Sequence, residues 1–264
     1  MSFINLNGGV IHYKYLQHSP LRDGGKTFLF INSLGTDFRI WDDVADILKE
    51  HGDILVYDKR GHGLSDVVVN TKGLNDFAED AVVLLKYLEI DQCIVVGVSV
   101  GGMIAQIIAG RFPQLVEKLI LCDTRHKIGN VQGWNDRIEQ VKEHGIQFIS
   151  EGVMQKWFSE NFRNSNADKV KGYKNMLERS QAFGYIQTCE AIRDANLQSI
   201  AEKIKIPTLC IVGSEDGSTP PADVKEFADI IEGSVYIVLQ GSGHIPGIDN
   251  PEELTKLIID FCKD

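Results

Sequence analysis

One serine stands out for its surroundings. Gly97-Val98-Ser99-Val100-Gly101 lies between an apolar run, CIVVG (Cys93 to Gly97), and a helix-length segment, GMIAQIIAGRF (Gly102 to Phe112). A serine at the tip of a tight strand-to-helix turn takes a strained backbone conformation, and flanking glycines let neighbouring chain approach without Cβ clashes. The hydroxyl is then presented to a pocket beside the positive end of the helix. Such a serine suits nucleophilic attack on an ester or similar carbonyl.

A serine hydroxyl is a weak nucleophile near neutral pH and needs an adjacent base, usually a histidine oriented by a carboxylate. Seven histidines compete. His244, in Gly241-Ser242-Gly243-His244-Ile245-Pro246, and His62, in Arg60-Gly61-His62-Gly63-Leu64-Ser65, both lie in glycine loops. A nucleophile on an elbow of this kind is followed in the chain by its acid and then its base, which selects His244. The acid should then fall between Ser99 and His244 at the end of a strand. Asp216, after PTLCIVG (Pro207 to Gly213) and before the turn residues Gly217-Ser218-Thr219-Pro220-Pro221, fits best. Glu215 is its nearest rival and Asp123, after KLILCD, a positional alternative.

Acyl chemistry also needs donors aimed at the oxyanion of the transition state. The backbone N–H of Val100, following the nucleophile, is one. The second is expected in the loop after an early strand, Ile31-Asn32-Ser33-Leu34-Gly35-Thr36, with Leu34 as the donor. The sequence has no P-loop, spaced G-x-G-x-x-G fingerprint, H-E-x-x-H or calcium loop, so no cofactor and no metal is expected.

The elements that must position these groups read as a βαβ series. TFLFI (Thr27 to Ile31), DILVYD (Asp53 to Asp58), CIVVG and KLILCD (Lys118 to Asp123) are near-continuous apolar runs, as strands buried on both faces of a parallel sheet require. Between them Ile40 to Glu50, Leu74 to Leu88 and Gly102 to Phe112 carry apolar residues at helical spacing, with Asn75 expected to cap the second. From about Arg125 to Ala201 the strand signal stops and the chain turns charged, amide-rich and helical. Strands return at PTLCIVG and SVYIVL (Ser234 to Leu239), before a last helix, Pro251 to Cys262. The expected fold is α/β: a mostly parallel central sheet flanked by helices, its core formed by 1–124 and 202–264. A helical lid inserted over 125–201 is too long for an ordinary loop.

Composition narrows the partner. With 27 Lys and Arg against 37 Asp and Glu, the net charge of −10 disfavours nucleic acid and anionic membrane surfaces as main partners. A small molecule is expected, and an anionic one would need cationic residues concentrated locally. Five scattered cysteines without a C-x-x-C pair suggest neither a disulfide framework nor zinc, and Cys93, Cys122 and Cys210 lie in strand-like runs. The first residues, MSFINLNGGVIHY, lack a secretory pattern, so the expected location is cytoplasmic.

Taken together, these residues resemble the α/β-hydrolase superfamily across the whole chain, and more narrowly the 3-oxoadipate enol-lactonases of bacterial aromatic-compound catabolism. The resemblance is carried by Asn32-Ser33-Leu34-Gly35-Thr36-Asp37 with Trp41-Asp42, by Tyr57-Asp58 with Arg60-Gly61-His62-Gly63-Leu64-Ser65, and by the Ser99 elbow followed by Gly102. Cys122-Asp123-Thr124, Gly133-Trp134-Asn135-Asp136-Arg137, Lys156-Trp157-Phe158 and Arg193-Asp194-Ala195-Asn196-Leu197 extend it. It departs after His244: those lactonases usually carry a small polar residue and Asn there, whereas this chain has Ile245-Pro246-Gly247-Ile248. The resemblance implies ring opening of a small anionic enol lactone by Ser99 through an acyl-enzyme. The substrate carboxylate would be met by Trp134 and Arg137, three apart on one helix face, with Arg125 and Lys127 as nearby candidates. A carboxylesterase of other specificity, or a small-molecule receptor that keeps the triad, are the alternatives.

Overall fold

The computed structural model describes residues 2–18 and 25–263. Their elements run in order β1 (Ser2–Leu6), β2 (Gly9–Leu16), β3 (Thr27–Ile31), α1 (Asp42–Leu48), β4 (Asp53–Tyr57), α2 (Leu74–Tyr87), β5 (Cys93–Val98), α3 (Val100–Arg111) and β6 (Val116–Cys122). Six helices follow: α4 (Val131–His144), α5 (Ile146–Trp157), α6 (Glu160–Ser165), α7 (Ala167–Glu178), α8 (Ala182–Asp194) and α9 (Gln198–Ala201). Then come β7 (Thr208–Gly213), α10 (Pro221–Ile230), β8 (Val235–Leu239), α11 (Pro246–Asp249) and α12 (Pro251–Cys262).

The eight strands form one sheet in the order β1-β2-β4-β3-β5-β6-β7-β8. Pairs from β4 through β8 are parallel, while β1–β2 and β2–β4 are antiparallel. The apolar runs form its centre: every residue of β3, β5 and β7 is buried, as strands covered on both faces must be. Helices flank the sheet, with α1 packed on α12, and α3 packed on α2, β5 and β6. The α/β architecture expected from the sequence is therefore present.

Two local readings change. The hairpin β1–β2 precedes the strands read from the sequence; Asn7 and Gly8 turn it with φ of 51° and 87°, the left-handed pair that two-residue hairpins favour. Asn75 does not cap α2. Gly73 occupies the cap position without a side-chain bond, and the Asn75 Oδ1 instead accepts from Arg111 Nη1 at 3.0 Å.

Between β6 and β7 the described chain is helical, with α4 packed on α5 and α8, and α5 on α7. This helical segment is fastened to the loop after β4. Gln187 Nε2 donates to the carbonyls of Val68 and Val69 at 3.2 and 3.1 Å, while the Leu197 N–H, donating to His126 O at 2.9 Å, ties the two ends of the segment together. Gly184 lies against Gly61 so closely that a Cβ on Gly184 would come within 2.6 Å of the Gly61 Cα. No helix among the described residues is long and apolar enough to cross a membrane.

Candidate active site

Ser99 follows β5 directly and begins α3. Its φ of 57° and ψ of −121° lie where a non-glycine residue is strained, as a sharp strand-to-helix elbow requires. Close packing over-determines the strain: a Cβ on Gly97 would fall 2.3 Å from Gly101 O, and one on Gly101 would fall 2.2 Å from Ile31 O. The Ser99 N–H donates to Cys122 O at 3.0 Å, and Thr124 Oγ1 donates to Ser99 O at 2.7 Å. The turn is thus pinned to the end of β6.

Asp216 and His244 come from the loops after β7 and β8, whose parallel pairing brings both loops to one sheet edge. Asp216 Oδ2 meets His244 Nδ1 at 2.9 Å and accepts from Thr219 Oγ1 at 2.6 Å. Its Oδ1 accepts the N–H groups of Ser218 and Thr219 at 2.7 and 3.0 Å. Burial pushes this carboxyl up, but the imidazole, the Thr219 hydroxyl and the Ser218 N–H outweigh it and hold the acid below its ordinary range. The turn residues expected to direct the side chain therefore do so. Glu215 is exposed and accepts from the Glu160 N–H at 3.1 Å instead.

Asp123 lies beside this pair. It is fully buried, at φ 48°, and its Oδ1 accepts the Gly213 N–H at 2.8 Å, while Oδ2 has no partner. Burial, and then the charge on Asp216, push its carboxyl well above the ordinary range, which favours its protonated form. Asp123, Asp216 and His244 hold possible ligand atoms within 4.8 Å of one another. With its four lone-pair positions already filled by donors, Asp216 suits a hydrogen-bonded network better than a cation.

The Ser99 hydroxyl and the His244 ring line one cavity of about 220 Å³. No hydrogen bond joins their side chains. Leu34 lines the same cavity, and among the described residues neither its N–H nor that of Val100 is taken by a protein acceptor. For Val100 this follows from its place as the first residue of α3. A free pair of backbone donors beside a buried serine is suited to an oxyanion.

From the helical segment, Trp134 and Arg137 of α4 both reach the cavity wall. The Arg137 guanidinium stands 5.7 Å from the Trp134 ring and 5.6 Å from the Tyr185 ring, and its Nε donates to Tyr185 Oη at 2.8 Å. It has no carboxylate partner among the described residues. The other two cations considered are elsewhere: Arg125 pairs with Asp223, and Lys127 is exposed and off the cavity. Lys156 and Ser33, to which the sequence reading gave no role, also line it. Ile245 to Ile248 are buried behind His244, and none of them reaches the wall, so the departure from the lactonase pattern falls in the packing. His62 is buried away from the cavity, where burial and the nearby Lys59 hold its ring well below the usual range.

An elbow serine at the edge of a mostly parallel sheet, with an acid–histidine pair arriving from later strands, defines an α/β hydrolase. The chain belongs to that family: residues 26–251 match the model described as the alpha/beta hydrolase fold. Within it, the chain is 32% identical to 3-oxoadipate enol-lactonase 2 of Acinetobacter baylyi, over 85% of this chain and 84% of that protein. It is 30% identical to 3-oxoadipate enol-lactonase 1 of the same organism, over 91% and 90%. Among solved structures it is similar to the enol-lactonase from Burkholderia xenovorans LB400, with a TM-score of 0.95 and 28% identity over 100% of both chains.

Proposed function

We propose that this hydrolase opens the ring of 3-oxoadipate enol-lactone to give 3-oxoadipate. The observation that carries this reading is Arg137, a guanidinium with no acid partner among the described residues, on the wall of the cavity that holds Ser99 and His244. In a protein of net charge −10, such a group is a selective anchor for a carboxylate. A cavity of about 220 Å³ suits a small ring acid, since pockets for drug-sized ligands run from about 300 Å³ upward. The enol-lactonase relatives support the same substrate.

In this reading Ser99 Oγ attacks the lactone carbonyl while its proton passes to His244 Nε2. Asp216 holds the opposite ring nitrogen and stabilises the imidazolium. The carbonyl oxygen, now negative, rests on the N–H groups of Leu34 and Val100. Collapse breaks the bond to the ring oxygen, which leaves as an enol on taking the proton from His244, and the enol relaxes to the ketone while still tethered. Water, deprotonated by His244, then splits the acyl-enzyme and restores Ser99. The monoanionic lactone leaves as a dianion, the proton of its new carboxyl passing to solvent. Trp134 forms the flat wall beside the anchor.

Turnover of 3-oxoadipate enol-lactone beside a neutral aryl ester, in wild type and Ser99→Ala, tests the reading. Loss of both activities in the variant and a wild-type preference for the lactone are expected. Comparable kcat/KM on both substrates would point to a general carboxylesterase, and turnover far below about 1 per second to a receptor.

A further inference from the structure

Behind the cavity, on the loop after β4, lies a lysine that the proposed reaction leaves unused. Lys59 is completely buried, and its amine donates to the Ser33 carbonyl. No carboxylate forms an ion pair with it among the described residues. Burying a lysine terminus against a neutral carbonyl is costly compared with an apolar side chain of the same length. The carbonyl it reaches is the informative part. Ser33 C=O and Leu34 N–H are the two ends of one planar trans peptide group and point in opposite directions. Thr36 Oγ1 donates to the same oxygen at 2.9 Å, and Asn32 Nδ2 in turn donates to the Thr36 carbonyl.

We infer that Lys59 is a positioning residue for the oxyanion site: by holding the Ser33 carbonyl from behind, together with Thr36, it fixes the Ser33–Leu34 peptide plane with the Leu34 N–H turned into the cavity. Two donors on one carbonyl also polarise the peptide, which strengthens the N–H at its far end. Burial pushes the amine well below its ordinary range, yet both protonation states keep an N–H to donate. Parallel pairing of β3 with β4 brings the two loops to the same sheet edge. The inference rests on the reading of Ser99 and Leu34 given above.

The test uses a neutral aryl ester, which needs an oxyanion site but no carboxylate anchor, together with phenylboronate, whose tetrahedral serine adduct places an oxygen where the oxyanion would form. In Lys59→Met we expect kcat to fall about 10–100-fold with KM within about threefold, less than the roughly 10²–10³-fold cost of deleting an oxyanion donor outright, because the Leu34 N–H is loosened and not removed. Phenylboronate affinity should weaken along with kcat, and Lys59→Arg, which keeps a donor, should recover part of both. Unchanged kcat and boronate affinity in folded Lys59→Met overturn the inference. Should Lys59→Met fail to fold, Thr36→Val removes the other donor from the same carbonyl; a smaller fall in kcat with weaker boronate binding supports the inference, and wild-type values overturn it. An active Ser99→Ala would instead sink the underlying reading, whereas an inactive Ser99→Ala beside a fully active Lys59→Met sinks this inference alone.

Discussion

The Trp157 carbonyl accepts the backbone N–H of His244 at 2.8 Å and that of Ile245 at 3.2 Å. Trp157 ends α5 of the helical segment and His244 follows the last strand of the sheet, so one carbonyl joins the segment to the proposed base. The contact is possible because residue 243 is glycine: a Cβ there would fall 2.6 Å from Trp157 O and 2.9 Å from the Phe158 backbone. The helical segment therefore does more than cover the cavity, since it also fixes the loop from which the imidazole projects.

Gly243→Ala should separate the two by forcing a methyl into backbone. Overpacking of this kind costs about 1–3 kcal/mol, and displacing a catalytic group by around 1 Å can cost about 10²-fold in rate. A lower melting temperature together with a kcat reduced at least about tenfold is expected. Wild-type kcat in the folded variant would show that the carbonyl does not set the ring position.

Asp216→Asn should keep the fold yet lose most turnover. The amide can still accept from Ser218 and Thr219, but its NH2 cannot serve as the anionic partner of His244 Nδ1. Loss of the acid in serine hydrolases of other folds costs about 10⁴ in kcat, and a similar fall is expected with little change in KM. Steady-state kinetics on the aryl ester measures it. A fall below tenfold would remove Asp216 from the proposed role.

Arg137→Met tests the carboxylate anchor separately. Losing a charge-assisted hydrogen bond is worth about 1.5–3 kcal/mol, which is roughly 10–100-fold in kcat/KM for the lactone. The neutral ester should be almost unaffected. Equal losses on both substrates would mean that Arg137 supports the wall through Tyr185 and Trp134 and does not hold the acid.

Asp123→Asn should change how stability depends on pH. Burial, reinforced by Asp216, raises the native carboxyl well above its unfolded value. From the ordinary carboxylate range upward, the native state thus holds a proton that the unfolded chain has released, and stability declines with rising pH until the native group ionises. An asparagine cannot titrate, so this part of the decline should vanish. Urea unfolding from pH 4.5 to 8.5 would show the variant gaining on wild type toward the alkaline end. Parallel curves would mean that Asp123 ionises normally.

Much of this arrangement was legible in the chain because its signals are local. The Ser99 elbow needs glycines at fixed offsets between a strand and a helix, and Asp216 precedes the turn residues that bind it, so both patterns lie within a few residues. Lys59, Lys156 and the Trp157 carbonyl were not given roles, because what matters about them is which distant residue they meet. Lys59 reads as one more charge in an ordinary loop until Ser33 is known to lie against it. Asn75 shows the opposite error: a good capping residue next to a helix start, whose side chain is drawn to Arg111 on the neighbouring helix. The β1–β2 hairpin carried an Asn-Gly signal at residues 7 and 8 that marks such turns, so it was readable.

The contact of Gly61 with Gly184 bears on how separable the two parts of this molecule are. One glycine belongs to the loop after β4 and the other to α8, and each fills the space where the other's side chain would stand. A chimera that grafts the six-helix segment of another hydrolase onto this sheet would inherit only half of the pair. Unless the incoming helix also presents a bare Cα at that point, the graft must ride higher on the core, and the floor and ceiling of the cavity would no longer be matched.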